Sequence, residues 1–261
     1  MTIRLKTREE ITIMQEGGKR HAQILSELAS IAKSGVSTLA LEEEALAMIK
    51  AMGDEPAFLG YQPSGAKRPY PAALCVSINN EIVHGIPNEV ERLLKEGDIV
   101  SIDLGLMHRG LITDSAVTVG VGVIDDEARK LLHITKLALD KGIEVAKPGN
   151  TVGDIGYAIA QVVGGSKFSL AEDLAGHGVG YSVHEDPFVP NVGEKGEGEK
   201  LVPGMVLAIE PMLNTGGPEI KLTKDGYTLV TRDGSRSAHF EHTVAITEKG
   251  NIILTSGSEG I

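Results

Sequence analysis

Tryptophan is missing from this chain, and only four Phe and five Tyr stand among its 261 residues. Surfaces that stack nucleobases or sugar rings need more aromatic area, so single-strand nucleic-acid readers and sugar-binding clefts fit poorly. A single cysteine, Cys75, excludes an internal disulfide and every zinc motif built on several thiolates. Positive charge is in deficit: the formal net charge is −11, which argues against nucleic acid or an anionic membrane as main partner. No apolar run approaches the roughly 20 residues of a membrane span. The opening stretch, MTIRLKTREEITIM, has charges where a secretory leader needs an apolar centre, so a cytoplasmic location is expected.

What is present describes an ordinary globular chain, 41% hydrophobic and 23% charged. Apolar residues recur at helical spacing from Thr7, through Ile11, Met14, Ile24, Leu25, Leu28 and Ile31. Thr7-Arg8-Glu9-Glu10 has the form of a capping box. A second helix should start at Ser37 or Thr38, a third should run from Asp125 to about Val145, and a fourth from Thr151 to about Val163. Strands are expected at Ala73–Ile78, at Ile99–Leu106 and Leu111–Val119, at Val206–Pro211 and at Ala238–Ile246. Lys224-Asp225-Gly226-Tyr227 reads as a type I′ hairpin turn.

The chain echoes itself. Ala32-Lys33-Ser34-Gly35-Val36-Ser37 matches Ala146-Lys147-Pro148-Gly149-Asn150-Thr151, and Gly97–Asp103 matches Gly204–Glu210. Residues 1–261 therefore read as one domain of two diverged halves, about 5–122 and 125–250. Each half brings two helices, a His-Gly turn and two strands bearing one carboxylate apiece.

The run from Ile99 to Val119 reads as an antiparallel hairpin. With His108 and Arg109 in the turn, Asp103 and Asp114 lie opposite each other on one face, and Ile102, Leu104 and Leu106 point to the other. Two carboxylates that close repel one another, and a divalent cation between them would compensate. An edge hairpin with two solvated aspartates is the plain alternative. If the halves are related by a twofold, Glu210 and Glu241 converge on the same point. With His177 they complete a set of five O/N ligands suited to two bridged divalent metals.

Val83–Pro87 (VHGIP), Ser101–Gly105 (SIDLG), Thr113–Val119 (TDSAVTV), Gly176–Gly180 (GHGVG), Ile209–Met212 (IEPM) and Phe240–Thr243 (FEHT) together resemble the methionine aminopeptidase family. The likeness runs from about Ile3 to Leu254. It implies the α+β pita-bread fold: two pseudo-twofold halves, a central antiparallel sheet and helices on the outer face. It implies that Asp103, Asp114, His177, Glu210 and Glu241 hold two divalent ions (Co, Mn, Fe or Zn). By the same likeness His84 and His184 are active-site histidines outside the ligand set, and Glu210 also shuttles a proton. Water activated between the metals would attack the first peptide bond of a chain beginning with Met, preferably before a small second residue. The resemblance places Phe58, Tyr70, Cys75, Val183 and Tyr227, with His84 and His184, around the substrate. The loop Gln62–Pro71 is several residues longer than its counterpart in the family. Only 33 positions separate His177 from Glu210, which leaves no room for the helical insertion of type 2 enzymes. No extra zinc-binding region precedes the core, so the compact bacterial type 1 form is the expectation. Nascent polypeptides and peptides are the implied partners, with room for a transient ribosome contact, no membrane, no nucleic-acid substrate, and a monomeric chain.

Two other functions stay open at this stage. A proline-specific aminopeptidase or prolidase shares the fold but usually carries a further amino-terminal domain. A non-catalytic binding protein of this fold generally loses metal ligands. His21, His108, His133 and His239 lack a partner pattern and read as structural, and GHGVG could be mistaken for a phosphate loop. Glu172 and Asp173 just before it would repel a phosphate, and no strand–loop–helix frame surrounds it.

Overall fold

Thr7 starts the first helix: its hydroxyl accepts from Glu10 N–H while the Glu10 carboxylate accepts from Thr7 N–H, the reciprocal cap its spacing predicts. The computed structural model describes residues 3–257, so Met1 and Thr2 of the opening stretch lie outside them. Helix α1 spans Arg8–Ile31 and α2 spans Thr38–Met52, capped by Ser37. They are followed by strands β1 (Glu55–Pro56), β2 (Leu74–Ile78), β3 (Glu81–Val83), β4 (Ile99–His108) and β5 (Leu111–Gly120). Helices α3 (Asp126–Val145, capped by Asp125) and α4 (Val152–Gly164, capped by Thr151) open the second part. Then come β6 (Ser169–Leu170), β7 (Ala175–Gly178), β8 (Glu185–Pro190), β9 (Val206–Ile209) and β10 (Met212–Asn214). The chain closes with β11 (Ile220–Leu222), β12 (Leu229–Thr231), β13 (Ser237–His239), β14 (His242–Thr247) and β15 (Gly250–Ile253).

Strand pairing among the described residues is antiparallel throughout. One sheet runs β1-β4-β2 with β5 joined to β4; another runs β15-β14-β9-β7-β8; two three-stranded sheets are ordered β13-β10-β6 and β11-β12-β3. The period-two pattern decides which face of each strand is covered. Ile102, Leu104 and Leu106 of β4 pack with Ile24, Leu28, Leu41 and Ile49 of α1 and α2. Leu207 and Ile209 of β9 pack with Leu139, Ile143, Ile155 and Ile159 of α3 and α4. Each such fully buried aliphatic side chain contributes on the order of 2 kcal/mol. Helices thus cover the outer faces, and the alternate residues of β4 and β9 point inward.

The echoed segments fold alike. Gly35 N–H donates to Leu94 O and Leu94 N–H to Val36 O, while Gly149 N–H donates to Leu201 O and Leu201 N–H to Asn150 O. Ser37 bridges Leu93 as Thr151 bridges Lys200. Among the described residues no helix is long and apolar enough to cross a membrane.

Three local expectations are corrected. The β4–β5 turn is Arg109-Gly110, with φ of 51° and 81°, the left-handed pair that a type I′ turn needs. Asp103 therefore faces Ala116, and Asp114 faces Gly105, so the aspartates share a face but sit diagonally. Lys224–Tyr227 is not a two-residue turn: Leu222 pairs with Leu229, and the Asp225 carboxylate, accepting from Tyr227 N–H and Thr228 N–H, shapes a wider loop. The strand expected at Ala238–Ile246 breaks at Phe240-Glu241 into β13 and β14, which belong to different sheets.

Candidate metal centre

Asp103 projects inward from β4 and Asp114 from β5, while His177 lies on β7. Glu210 follows the last residue of β9, and Glu241 sits in the break between β13 and β14. That break is stitched to β5. Asp114 N–H donates to Thr243 Oγ1 (2.8 Å), whose hydroxyl donates to Asp114 O (2.7 Å). Ser115 Oγ donates to Glu241 O (2.7 Å), and Glu241 N–H donates to Ala116 O (3.0 Å). The FEHT threonine and the TDS serine thus hold Asp114 and Glu241 side by side. Ligand-type atoms of Asp114, His177 and Glu241 lie within 4.8 Å of one another. His177 Nε2 is 3.3 Å from Glu210 Oε1 and 4.0 Å from Asp114 Oδ2.

His177 is oriented by its own neighbour. Its Nδ1–H donates to Gly178 O (2.9 Å), which leaves the Nε2 lone pair aimed at the carboxylates. The glycines of GHGVG are there for close approach: a Cβ on Gly176 would stand 2.2 Å from Ala208 O, and one on Gly178 2.2 Å from Asp186 O. The motif is a packed strand, not an anion loop.

All twelve residues singled out by sequence line one cavity of about 470 Å³. Phe58, Tyr70, Cys75 and Val183 are buried and form apolar wall. Cys75 pairs with Asp103 across β2 and β4, and burial pushes its thiol well up. The Tyr70 ring meets that of Tyr227 edge-on at 5.1 Å, and the Tyr70 hydroxyl donates to Leu74 O (2.9 Å). His84 follows β3 with φ of 61°, a left-handed conformation uncommon for a residue with a side chain and characteristic of functional turns.

Burial dominates the electrostatics. It pushes Asp103 up to about 7, opposed by the His239 imidazole and reinforced by the Glu210 charge. Burial, then the neighbouring carboxylates, raise Asp114 and Glu241 well above the usual range. Glu210 goes the other way: burial raises it, but His239, His177 and His184 together outweigh that and leave it lowered. His184 keeps an exposed face, yet desolvation by the surrounding cleft and then the nearby His177 lower it to about 3 and favour the neutral ring. Burial lowers His84 too.

Asp103 Oδ1 and Asp114 Oδ1 are buried with no hydrogen-bond donor. Carboxylate oxygens left like that are costly unless a cation meets them. Four carboxylates with one imidazole match the ligand preferences of hard-to-borderline divalent metals, so the residues fit a divalent metal centre.

The chain belongs to metallopeptidase family M24, whose model matches residues 12–248. Within the family its similarity lies with methionine aminopeptidases. It is 48% identical to the methionine aminopeptidase of Aquifex aeolicus over 98% of this chain and 99% of that one. It is 46% identical to methionine aminopeptidase 1 of Bacillus subtilis over 96% and 98%. The crystal structure of Thermotoga maritima methionine aminopeptidase superposes with a TM-score of 0.92 at 43% identity, covering 97% of this chain and 99% of that one. An Xaa-Pro dipeptidase from Bacillus anthracis shares the fold, with a TM-score of 0.76 at 21% identity, and this chain covers 63% of it. The fold is the α+β pita-bread fold that the resemblance implies.

Two residues at the site escaped the sequence reading. His239, expected to be structural, lies on β13, buried, with Nε2 3.3 Å from Glu210 Oε2. Nothing local signals this, because its strand partner is Met212, far away in sequence. Tyr61 meets His184 Nδ1 at 2.9 Å. His21 and His108 are structural as expected: His21 Nδ1 meets Thr113 Oγ1 and His108 Nδ1 meets Asp54 Oδ1. His133 is exposed on α3.

Proposed function

We propose that this chain is a metal-dependent aminopeptidase that removes the N-terminal methionine from nascent proteins and peptides, preferably before a small second residue. The observation that carries the reading is an oxygen-rich ligand cluster set in the wall of a largely apolar cavity. Similarity to methionine aminopeptidases over nearly the whole chain supports the choice of substrate. Asp103, Asp114, His177, Glu210 and Glu241 would hold two divalent ions, with Co, Mn, Fe and Zn all compatible with the donor set. When bound, such ions supply Lewis acidity toward a carbonyl and lower the pKa of water.

The remaining chemistry belongs to the side chains. Burial raises the Tyr61 phenol, so it stays protonated and can donate to His184 Nδ1 at 2.9 Å, and the mechanism takes that tautomer. The His184 proton then sits on Nε2, where a neutral imidazole can donate to the oxyanion that develops at the scissile carbonyl. Glu210, ionised near neutrality, can accept a proton from attacking water and pass it to the leaving amine. His84 is read as binding substrate near the leaving nitrogen. Phe58, Tyr70, Cys75, Val183 and Tyr227 offer a thioether the apolar walls it favours.

We read residues 1–261 as one catalytic unit of two halves, about 5–122 and 125–250, supported by the matching hydrogen bonds of the echoed segments. Nascent chains as substrates favour a cytoplasmic setting and brief contact with the ribosome, and we read the enzyme as a monomer. The test is turnover of Met-Ala-Ser against Ala-Pro peptides, with and without chelator. Metal-dependent release of Met from the first alone is expected; preference for Ala-Pro, or full activity after rigorous stripping, would overturn the reading.

A further inference from the structure

Between Tyr61 and Tyr70 the chain leaves the cleft wall as a loop with a closed neck. Gly60 N–H donates to Tyr70 O (2.9 Å) and Tyr70 N–H donates to Tyr61 O (2.8 Å). Beyond the neck Gln62 Nε2 donates to Ala66 O (2.9 Å) and Ala66 N–H to Pro63 O (3.0 Å), so the tip keeps its own shape. Pro63 and Ala66 are half-buried and line the cavity, whereas Gln62, Ser64 and Lys67 are exposed.

The tip is tied down by Arg68. Its guanidinium grips both Glu89 carboxylate oxygens, with Nη2 to Oε2 at 2.9 Å, and Nη2 also donates to Asp225 O (3.1 Å). The Tyr227 hydroxyl donates to Arg68 O. Glu89 lies just after the VHGIP segment and Asp225 lies in the β11–β12 loop, so one arginine joins three separate segments. The strap runs from Tyr61, bonded to His184, to Tyr227.

Phe58, Tyr70 and Cys75 are buried in the cavity wall, while the tip stands at its solvent edge. On the aminopeptidase reading above, on which this inference rests, methionine fills the buried apolar part and the residues after it leave past the tip. We propose that Arg68 is a positioning residue for second-residue specificity: it latches the strap so that Pro63 and Ala66 form an apolar rim too narrow for a bulky second side chain. Roughly two-fifths of each partner's side chain is exposed, 39% for Arg68 and 37% for Glu89. A pair so exposed biases an equilibrium by up to about fivefold.

The test uses metal-loaded enzyme, the variants Arg68→Glu and Glu89→Arg, and the double exchange. kcat and KM are measured for Met-Ala-Ser and Met-Leu-Ser. Each single variant should shrink the Ala-over-Leu preference about two- to fivefold, through a lower KM for Met-Leu-Ser. The kcat for Met-Ala-Ser should hold, since the neck and the Tyr61–His184 contact are untouched. The double exchange should restore most of the preference. Wild-type enzyme in about 1 M salt, which screens an exposed pair, should shift the ratio in the same direction and needs no variant to fold. Single variants with unchanged ratios, or a double exchange that restores nothing, overturn the latch while leaving the aminopeptidase reading intact. Wild-type enzyme that cleaves no Met-led peptide overturns that reading, and the latch with it.

Discussion

Loading the site with a divalent metal should expel protons, and the carboxylates set how many. Before loading, burial holds Asp103 near 7, so roughly nine-tenths of the molecules carry its proton at pH 6 and about one-tenth at pH 8. Asp114 and Glu241 lie well above the usual carboxylate range for the same reason. On the ligand set proposed above, these carboxylates must be deprotonated to bind the metal, so each proton held there competes with the ion. Uptake at pH 6 should therefore release between about one and three protons per chain. The sign follows: where protons are displaced, apparent affinity falls about tenfold for each proton and each unit of pH decrease, about 1.4 kcal/mol. Titration calorimetry of stripped protein with Mn²⁺, in buffers of different ionisation enthalpy at pH 6, 7 and 8, counts the protons. Asp103→Asn should lower the count at pH 6 by about one. A count of zero at pH 6, or an unchanged count in the variant, would refute the argument that burial keeps these oxygens protonated until a cation replaces the proton.

Two further outcomes test the frame around the site. Lys6 and Glu185 form a buried pair at 2.6 Å, and Glu185 also accepts from Tyr181 N–H and Ser182 N–H just before His184; Lys6→Met should cost about 3 kcal/mol in denaturant unfolding, the low end for breaking a buried pair because two backbone donors remain, and an effect below about 1 kcal/mol would contradict this. Burial lowers His21 to about 3 and His242 to about 4, so below their unfolded value of about 6.5 the unfolded chain takes up protons that the fold refuses; their stability contribution is present above 6.5 and lost as pH falls, at about 1.4 kcal/mol per unit for each. His21→Gln should flatten the pH dependence of unfolding between pH 6.5 and 4, and an unchanged slope would count against a buried neutral imidazole.

How much of this was legible in the sequence depends on which physical rule wrote each feature. Helices α1 to α4 were readable because caps and periodicity are local: Thr7, Ser37, Asp125 and Thr151 each accept a backbone N–H three residues on. The five carboxylate and imidazole candidates and His84 fall in short motifs, whereas Phe58, Tyr70, Cys75, Val183 and Tyr227 lie outside them and follow from the resemblance alone; the structure brings all of them to one cavity. His239 and Tyr61 were not, because their partners are set by sheet pairing and loop closure, which act at long range. The break at Phe240-Glu241 was hidden for a similar reason. Alternation continues through it, and only the handover from the β10 sheet to the β9 sheet shows that the chain changes partners there.

The hairpin shows why a wrong turn still led to the right face. With His108-Arg109 as turn, paired positions sum to 217; with Arg109-Gly110 they sum to 219, as the pairing of Asp103 with Ala116 shows. A shift of two in that sum moves each partner by two residues, and side-chain direction has a period of two. Asp103 and Asp114 therefore stay on one face under either turn, and Ile102, Leu104 and Leu106 stay against α1 and α2. What changes is distance: directly opposed aspartates become diagonal ones, whose Cβ atoms lie roughly 7 Å apart rather than 5 Å. The turn itself held the missing clue, since a glycine in its second position suits the left-handed backbone seen at Arg109 and Gly110. Diagonal placement leaves room between the carboxylates for a cation and for Glu241, brought alongside by Thr243 and Ser115. Alternation thus fixes which residues can share a cation, while the turn and the contacts from a distant strand fix how far apart they stand.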